Sequence, residues 1–157
     1  MLMENKKNTC LWAAASLVLM AVIFVFSSFP AEQSSGMSNP LVDWPLSLVE
    51  NWFGVKVSIE VRDFFHSFIR KAAHLLIYLV LGLCAVNTVR QITNRKKRVF
   101  LISLCWCSFY AVTDEFHQFF IPGRACMWQD WLIDTIGALI GIGVVFLFLR
   151  RHRRNEK

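Results

Sequence analysis

Long apolar runs alternate with short polar blocks along the chain, and this alternation predicts membrane-spanning helices rather than a soluble core. A helix needs about 20 predominantly apolar residues to cross a bilayer. Four segments meet that requirement: residues 10–29, 72–89, 99–119 and 131–149. The third carries polar residues in its last turns, and the fourth ends in Arg150, Arg151, Arg153 and Arg154. A loop covering residues 30–71 joins the first two spans. Its stretch 31–40 is rich in Ser, Gly and Pro and reads as coil. From Ser58 to Lys71, the apolar residues Ile59, Val61, Phe64, Phe65, Phe68 and Ile69 recur at near-helical spacing with charged residues between them, which predicts an interfacial helix leading into the second span. The expected architecture is all-α: an integral membrane four-helix bundle with an additional interfacial helix in the outer loop, forming a single domain over residues 1–157.

Charge placement sets the expected orientation. Lys6 and Lys7, the block Arg90, Arg95, Lys96, Lys97 and Arg98, and the C-terminal arginines with Lys157 all fall on one side of a four-span topology. The opposite side holds most of the acids, with Glu32, Asp43, Glu50, Glu60 and Asp63 in the first loop alone. Lys and Arg in short loops mark the cytoplasmic side. The expectation is a multi-pass cell-membrane protein with both termini in the cytoplasm, and with the 30–71 loop and the Pro122-Gly123 turn outside. The first apolar run is long for a signal-peptide core, and Ser27-Ser28-Phe29-Pro30 supplies no clear cleavage site, so an uncleaved span is expected.

Composition supports this picture: 55% of residues are apolar and the mean hydropathy is +0.45. The net charge of +6 does not point to nucleic acid, because the basic residues flank apolar spans instead of forming a stripe with interleaved aromatics. The bilayer is the expected partner. Cys10, Cys84, Cys105 and Cys107 lie in apolar runs, where Cys acts as a small hydrophobe, and Cys126 has no evident partner; neither a disulfide framework nor a zinc knuckle is indicated. His66 and Trp52 in the loop read as interfacial anchors.

Ionisable residues in or near a span are costly, so each is a functional hypothesis. Lys71, His74 and Tyr78 share one face at the start of the second span. Asp114, Glu115, His117 and Gln118 sit at the end of the third, with Asp114, His117 and Gln118 on one face and Tyr110 a turn inward. After the turn Ile121-Pro122-Gly123-Arg124, Asp130 and Asp134 open the fourth span on a face continued by Gly137 and Gly141. Topology brings all of these to one membrane boundary, and the Gly-x-x-x-Gly spacing lets helix backbones approach closely there.

The stretch Asp114-Glu115-Phe116-His117-Gln118-Phe119-Phe120-Ile121-Pro122-Gly123-Arg124, followed by Asp130 and by Asp134 through Gly141, resembles the signature of the VanZ-like membrane protein family. Lys71-x-x-His74-x-x-x-Tyr78 resembles its second-span motif, and Phe26-Ser27-Ser28 with Glu32-Gln33-Ser34-Ser35 resembles its motif after the first span. The resemblance implies a bacterial cell-envelope protein linked to resistance to glycopeptide antibiotics, teicoplanin in particular.

Several readings of the cluster stand open. Lys71, His74, Tyr78, Asp114, Glu115, His117, Gln118, Arg124, Asp130 and Asp134 could form an outward binding site for an amphiphile such as a lipid-linked cell-wall precursor or a lipoglycopeptide, with Lys71 and Arg124 holding phosphate or carboxylate. A membrane enzyme would instead use His74 or His117 as general base with Asp114 and Glu115 nearby, acting on a lipid-linked phosphate or acyl group. A bland reading has Lys71 and Arg124 neutralise Asp114, Glu115, Asp130 and Asp134 to hold helix ends together. An ion pathway is disfavoured, since the cytoplasmic halves of the spans are almost free of ionisable groups. Asp114-x-x-His117 has metal-ligand spacing but occurs once, so no metal site and no particular cofactor is expected.

Overall fold

The computed structural model describes the backbone of residues 2–155. Within that range the side chains of residues 2–6, 32, 34, 35, 37–39, 153 and 155 are not described. Glu32, Ser34 and Ser35 of the motif after the first span, and Lys6, Arg153 and Lys157 of the basic clusters, therefore lie outside the described side chains. Five helices follow one another: α1 (Leu2–Ser27), α2 (Ala31–Phe53), α3 (Ile59–Ile92), α4 (Lys96–Gln118) and α5 (Trp128–Asn155). Among the described residues there is no strand. Four helical stretches are long and apolar enough to cross a membrane: Lys7–Ser27, Ile59–Ile92, Lys96–Gln118 and Trp128–His152. The chain is a multi-pass membrane protein, and its apolar exterior is what lipid contact requires.

Two features of the first loop differ from expectation. Residues 31–40 are helical, as the first turns of α2, although Ser, Gly and Pro give them low intrinsic helix propensity. Tertiary contact supplies part of what propensity lacks: the Ala31 N–H donates to the Pro122 carbonyl at 3.2 Å, fixing the start of α2 against the turn between α4 and α5. Gly123 in that turn has φ +74°, a left-handed conformation, and its α-carbon faces the Ala31 methyl. The second difference lies in residues 59–71. They are helical as predicted, but form the first turns of the second span itself. At 1.5 Å per residue the 34-residue α3 is about 51 Å long, against a hydrocarbon thickness of about 30 Å, so its early turns extend beyond the apolar slab. The separate shorter helix is α2.

The loop packs onto α3 through polar contacts. Arg62 donates to Asp43 and to Glu50, each at 2.8 Å, and the Val57 N–H donates to Glu50 at 2.8 Å. The Val57 N–H first, and the Arg62 guanidinium next, hold the Glu50 carboxyl below the usual glutamate range.

The bundle is built around α3 and α5, which make the most extensive interhelix contact. Glycine causes it. A β-carbon at Gly137 would collide with the Leu75 carbonyl oxygen, one at Gly141 with that of Leu79, and one at Gly82 with that of Ala138. Both backbones use the missing side chains to close on each other. Around this seam lie Ile23, Tyr78, Leu81, Ala85, Cys107, Ala111 and Ala138, with a second cluster of Val86, Val89, Val99, Ile142 and Val145. Helix α1 is apolar round most of its circumference and exposes Leu11, Leu17, Val18, Val25 and Phe26, a surface suited to lipid.

Candidate functional site

The polar residues singled out in the sequence meet at the end of the bundle that carries α2 and the 119–127 turn. The glycine seam explains the meeting. Leu75 presses on Gly137, which puts the neighbouring His74 beside Asp134 one turn before that glycine: His74 Nδ1 lies 3.6 Å from Asp134 Oδ1. One turn earlier on both helices, Lys71 Nζ pairs with Asp130 at 2.5 Å. Helix α4 brings Asp114 to the same level, and Asp114, Glu115, Gln118 and Asp134 are all buried.

A small cavity of about 20 Å³, room for one water-sized guest, opens among these side chains. Arg70, Lys71, His74, Glu115, Gln118, Arg124, Asp130, Ile133 and Asp134 line it. Seven of the ten residues predicted as a binding site are in that lining. The other three sit elsewhere. Asp114 lies beneath the cavity, within ligand-sharing reach of His74 and Asp134. Tyr78 lies one turn deeper on α3, fully buried, with a hydroxyl that has no hydrogen-bond partner. His117 turns away towards α1, where its ring stacks on Phe24 at 4.4 Å and its Nε2 meets Ser28 Oγ at 3.1 Å.

Several polar contacts join the helices. Ser27, at the end of α1, donates to Asp114 Oδ2 at 2.9 Å, and Gln118 donates to the same oxygen at 3.0 Å. Arg124 donates through Nε to the Phe29 carbonyl at 3.0 Å and through its terminal nitrogens to the Phe26 carbonyl and Gln118 Oε1, each at 3.2 Å. It thus caps carbonyls at the C-terminal end of α1, where a cation is favoured by the helix dipole. The Met127 N–H donates to Glu115 at 3.0 Å, tying the start of α5 to α4. Burial, followed by the nearby Arg70 charge, lowers the Arg124 pKa from its ordinary value, but a guanidinium stays charged across the physiological range.

The bland reading of mutual neutralisation fits only one pair. Lys71 neutralises Asp130, while among the described residues neither Arg70 nor Arg124 forms an ion pair with a carboxylate, and Asp114 has no ion-pair partner. Arg70 was not among the predicted site residues, although its place beside Lys71 was a signal. Ser27 belonged to a recognised motif, but its role as a donor to Asp114 needed the packing of α1 against α4.

Fold and site together define a class: a polytopic helical membrane protein whose helix ends enclose a polar cavity. The family model described as VanZ/LLP1 matches residues 12–149, and the chain belongs to that family. No solved structure matches it.

Proposed function

We propose that the cavity faces away from the cytoplasm and receives the anionic headgroup of an envelope amphiphile, such as a lipid-linked cell-wall precursor or a lipoglycopeptide. The observation that carries this reading is the pair Arg70 and Arg124: both line the cavity, the charge of one acts on the other, and among the described residues neither is ion-paired with a carboxylate. Two neighbouring guanidinium groups not engaged in a direct ion pair attract an anion, although Asp114, Glu115 and Asp130 also act on Arg124. Guanidinium groups match phosphate and carboxylate oxygens with two parallel hydrogen bonds. The narrow cavity suits one ligand oxygen, leaving the rest of the headgroup outside it and the chain in lipid. The Lys/Arg-rich opposite end supports a cytoplasmic position for both termini.

The resemblance to the VanZ-like family supports a reading in which this binding bears on teicoplanin resistance, since holding or shielding an amphiphile changes what the antibiotic reaches. The test is expression in teicoplanin-sensitive cells. Arg70→Gln and Arg124→Lys are expected to remove any protection while protein level stays normal, and the exposed Cys126, two residues after Arg124, is expected to react with an impermeant thiol reagent from outside, with that labelling lost in Cys126→Ser. Full protection by both variants, or labelling only from the cytoplasmic side, overturns the proposal.

A second reading is catalysis on a lipid-linked phosphate or acyl group. His74 lines the cavity, where an imidazole can serve as a general base, and its Nδ1 lies 3.6 Å from the buried Asp134 carboxylate. Mass spectrometry of lipid-linked precursors after incubation with purified protein separates the two: a changed product supports catalysis, and saturable binding without product supports the binding protein.

A further inference from the structure

Beneath the cavity, three helices each direct one ligand-type side chain at a common point. His74 of α3, Asp114 of α4 and Asp134 of α5 offer donor atoms that all lie within 4.8 Å of one another. Metal–ligand bonds of roughly 2.1 Å place donor pairs roughly 3 to 4.2 Å apart, so small side-chain adjustments bring these atoms onto one ion. Asp114 is 2% exposed and Asp134 is 1% exposed. Asp114 Oδ1 and both Asp134 oxygens are buried without a hydrogen-bond partner. The 3.6 Å from His74 to Asp134 is too long for a hydrogen bond. Two carboxylates withdrawn from water at this range need either protons or a counter-charge, and a bound cation supplies the second. Lys71 is paired with Asp130, and the hydrogen bonds of Arg124 go to α1 carbonyls and Gln118.

A separate observation concerns Tyr78. Its side chain is 0% exposed, its hydroxyl has no hydrogen-bond partner among the described residues, and it lies on the His74 face of α3, one turn deeper. A buried hydroxyl without a partner is costly unless a ligand or neighbour accepts or donates a hydrogen bond there. The supporting shell is also built. Ser27 and Gln118 bind Asp114 Oδ2 and so fix the carboxylate with Oδ1 free, as second-shell donors do in metal sites. His74 and Asp134 line the cavity, which gives an ion a way in.

We propose that His74, Asp114 and Asp134 bind one divalent first-row transition-metal ion, with the Tyr78 hydroxyl as a further oxygen at the site. One imidazole among oxygen donors favours Mn²⁺ or Zn²⁺ over Ca²⁺, which takes larger all-oxygen cages. A divalent ion cancels the two carboxylate charges with His74 neutral. Spacing along one helix does not reveal this site, because its donors come from three helices and His117, the partner suggested by Asp114-x-x-His117, is engaged by α1.

The test uses full-length protein in a detergent with uncharged headgroups, stripped with EDTA and dialysed, so that metal binding is read apart from any lipid headgroup. Zn²⁺ is titrated by calorimetry and Mn²⁺ by electron paramagnetic resonance. The expected result is one ion per chain, a raised unfolding temperature on loading, and affinity at least about 10-fold weaker in both His74→Ala and Asp134→Asn. Asp43→Asn, remote on α2, is expected to bind like the wild type. Where a variant loses its helicity or elutes as aggregate, His74→Gln or Asp134→Ser takes its place. Absence of stoichiometric binding by the wild type, or a smaller loss in either site variant, overturns the proposal.

Discussion

The α3–α5 seam and the α2–α3 junction hold the chain together in opposite ways. At the seam, Gly82, Gly137 and Gly141 let backbone touch backbone, and the contact is buried. At the junction, Arg62 bridges Asp43 and Glu50, with side chains about a quarter to two-fifths exposed. The first contact has no freedom: a carbonyl oxygen cannot step aside for a methyl group. The second is a set of exposed ion pairs, whose contributions are individually small and salt-sensitive. The cavity residues His74, Lys71, Asp130 and Asp134 stand on the rigid seam. The protein thus places its costly polar groups on the contact that cannot slip, and holds α2 by weaker, exposed ion pairs.

Breaking the seam gives the largest expected effect. Gly141→Leu is expected to destabilise the folded bundle by about 3 kcal/mol or more, because the overpacked atoms are backbone. Loss of folded protein in a detergent unfolding titration checks this. Gly143→Leu is the matched control, since a β-carbon there meets nothing within 4 Å, and it is expected to unfold like the wild type. Equal behaviour of the two variants removes the argument from close approach.

Breaking the junction gives a smaller effect. Arg62→Ala is expected to leave the unfolding of the spans unchanged while making α2 more susceptible to limited proteolysis. If the spans unfold together with α2 in this variant, the two contacts are not the independent units described here.

The smallest effect is one of pH. The carboxyl of Glu50 is held below its ordinary value of 4.5 by the Val57 N–H and by Arg62. A carboxyl depressed in the folded state stabilises the junction above the unfolded value, and that stabilisation disappears as pH falls through the lowered folded value. Amide exchange at Val57, corrected for intrinsic rate, is expected to lose protection below pH 4.5, whereas amides around Ile142 on the seam stay protected. Matching loss at both places contradicts the assignment.

Much of the fold was legible because lipid imposes a coarse rule that uninterrupted apolar length reveals. The level at which the polar groups meet was legible for the same reason: Lys71, Asp114 and Asp130 interrupt apolar runs at matching ends. Which groups touch was not. That depends on helix rotation, fixed by collisions at Leu75 and Leu79 that no single-helix pattern contains. His117 shows the limit: i, i+3 spacing put it with Asp114, but stacking on Phe24 draws it to α1. Residues 31–40 show another, since their propensity reads as coil and the Ala31–Pro122 contact helps make them helix. The reciprocal Gly82 was hidden in an apolar run, where one glycine carries little signal.

In the proposed function Arg70 and Arg124, both lining the polar cavity, receive an anion together. The most direct measurement is retention of a polyprenyl phosphate by wild-type protein and by the Arg70→Gln/Arg124→Gln double variant in nanodiscs of zwitterionic lipid, read by native mass spectrometry. One phosphate lipid is expected to be retained per wild-type chain, with at least about 10-fold weaker retention by the double variant, equivalent to 1.4 kcal/mol or more. Equal retention by both proteins, or none by the wild type, rules out an anion site at these arginines.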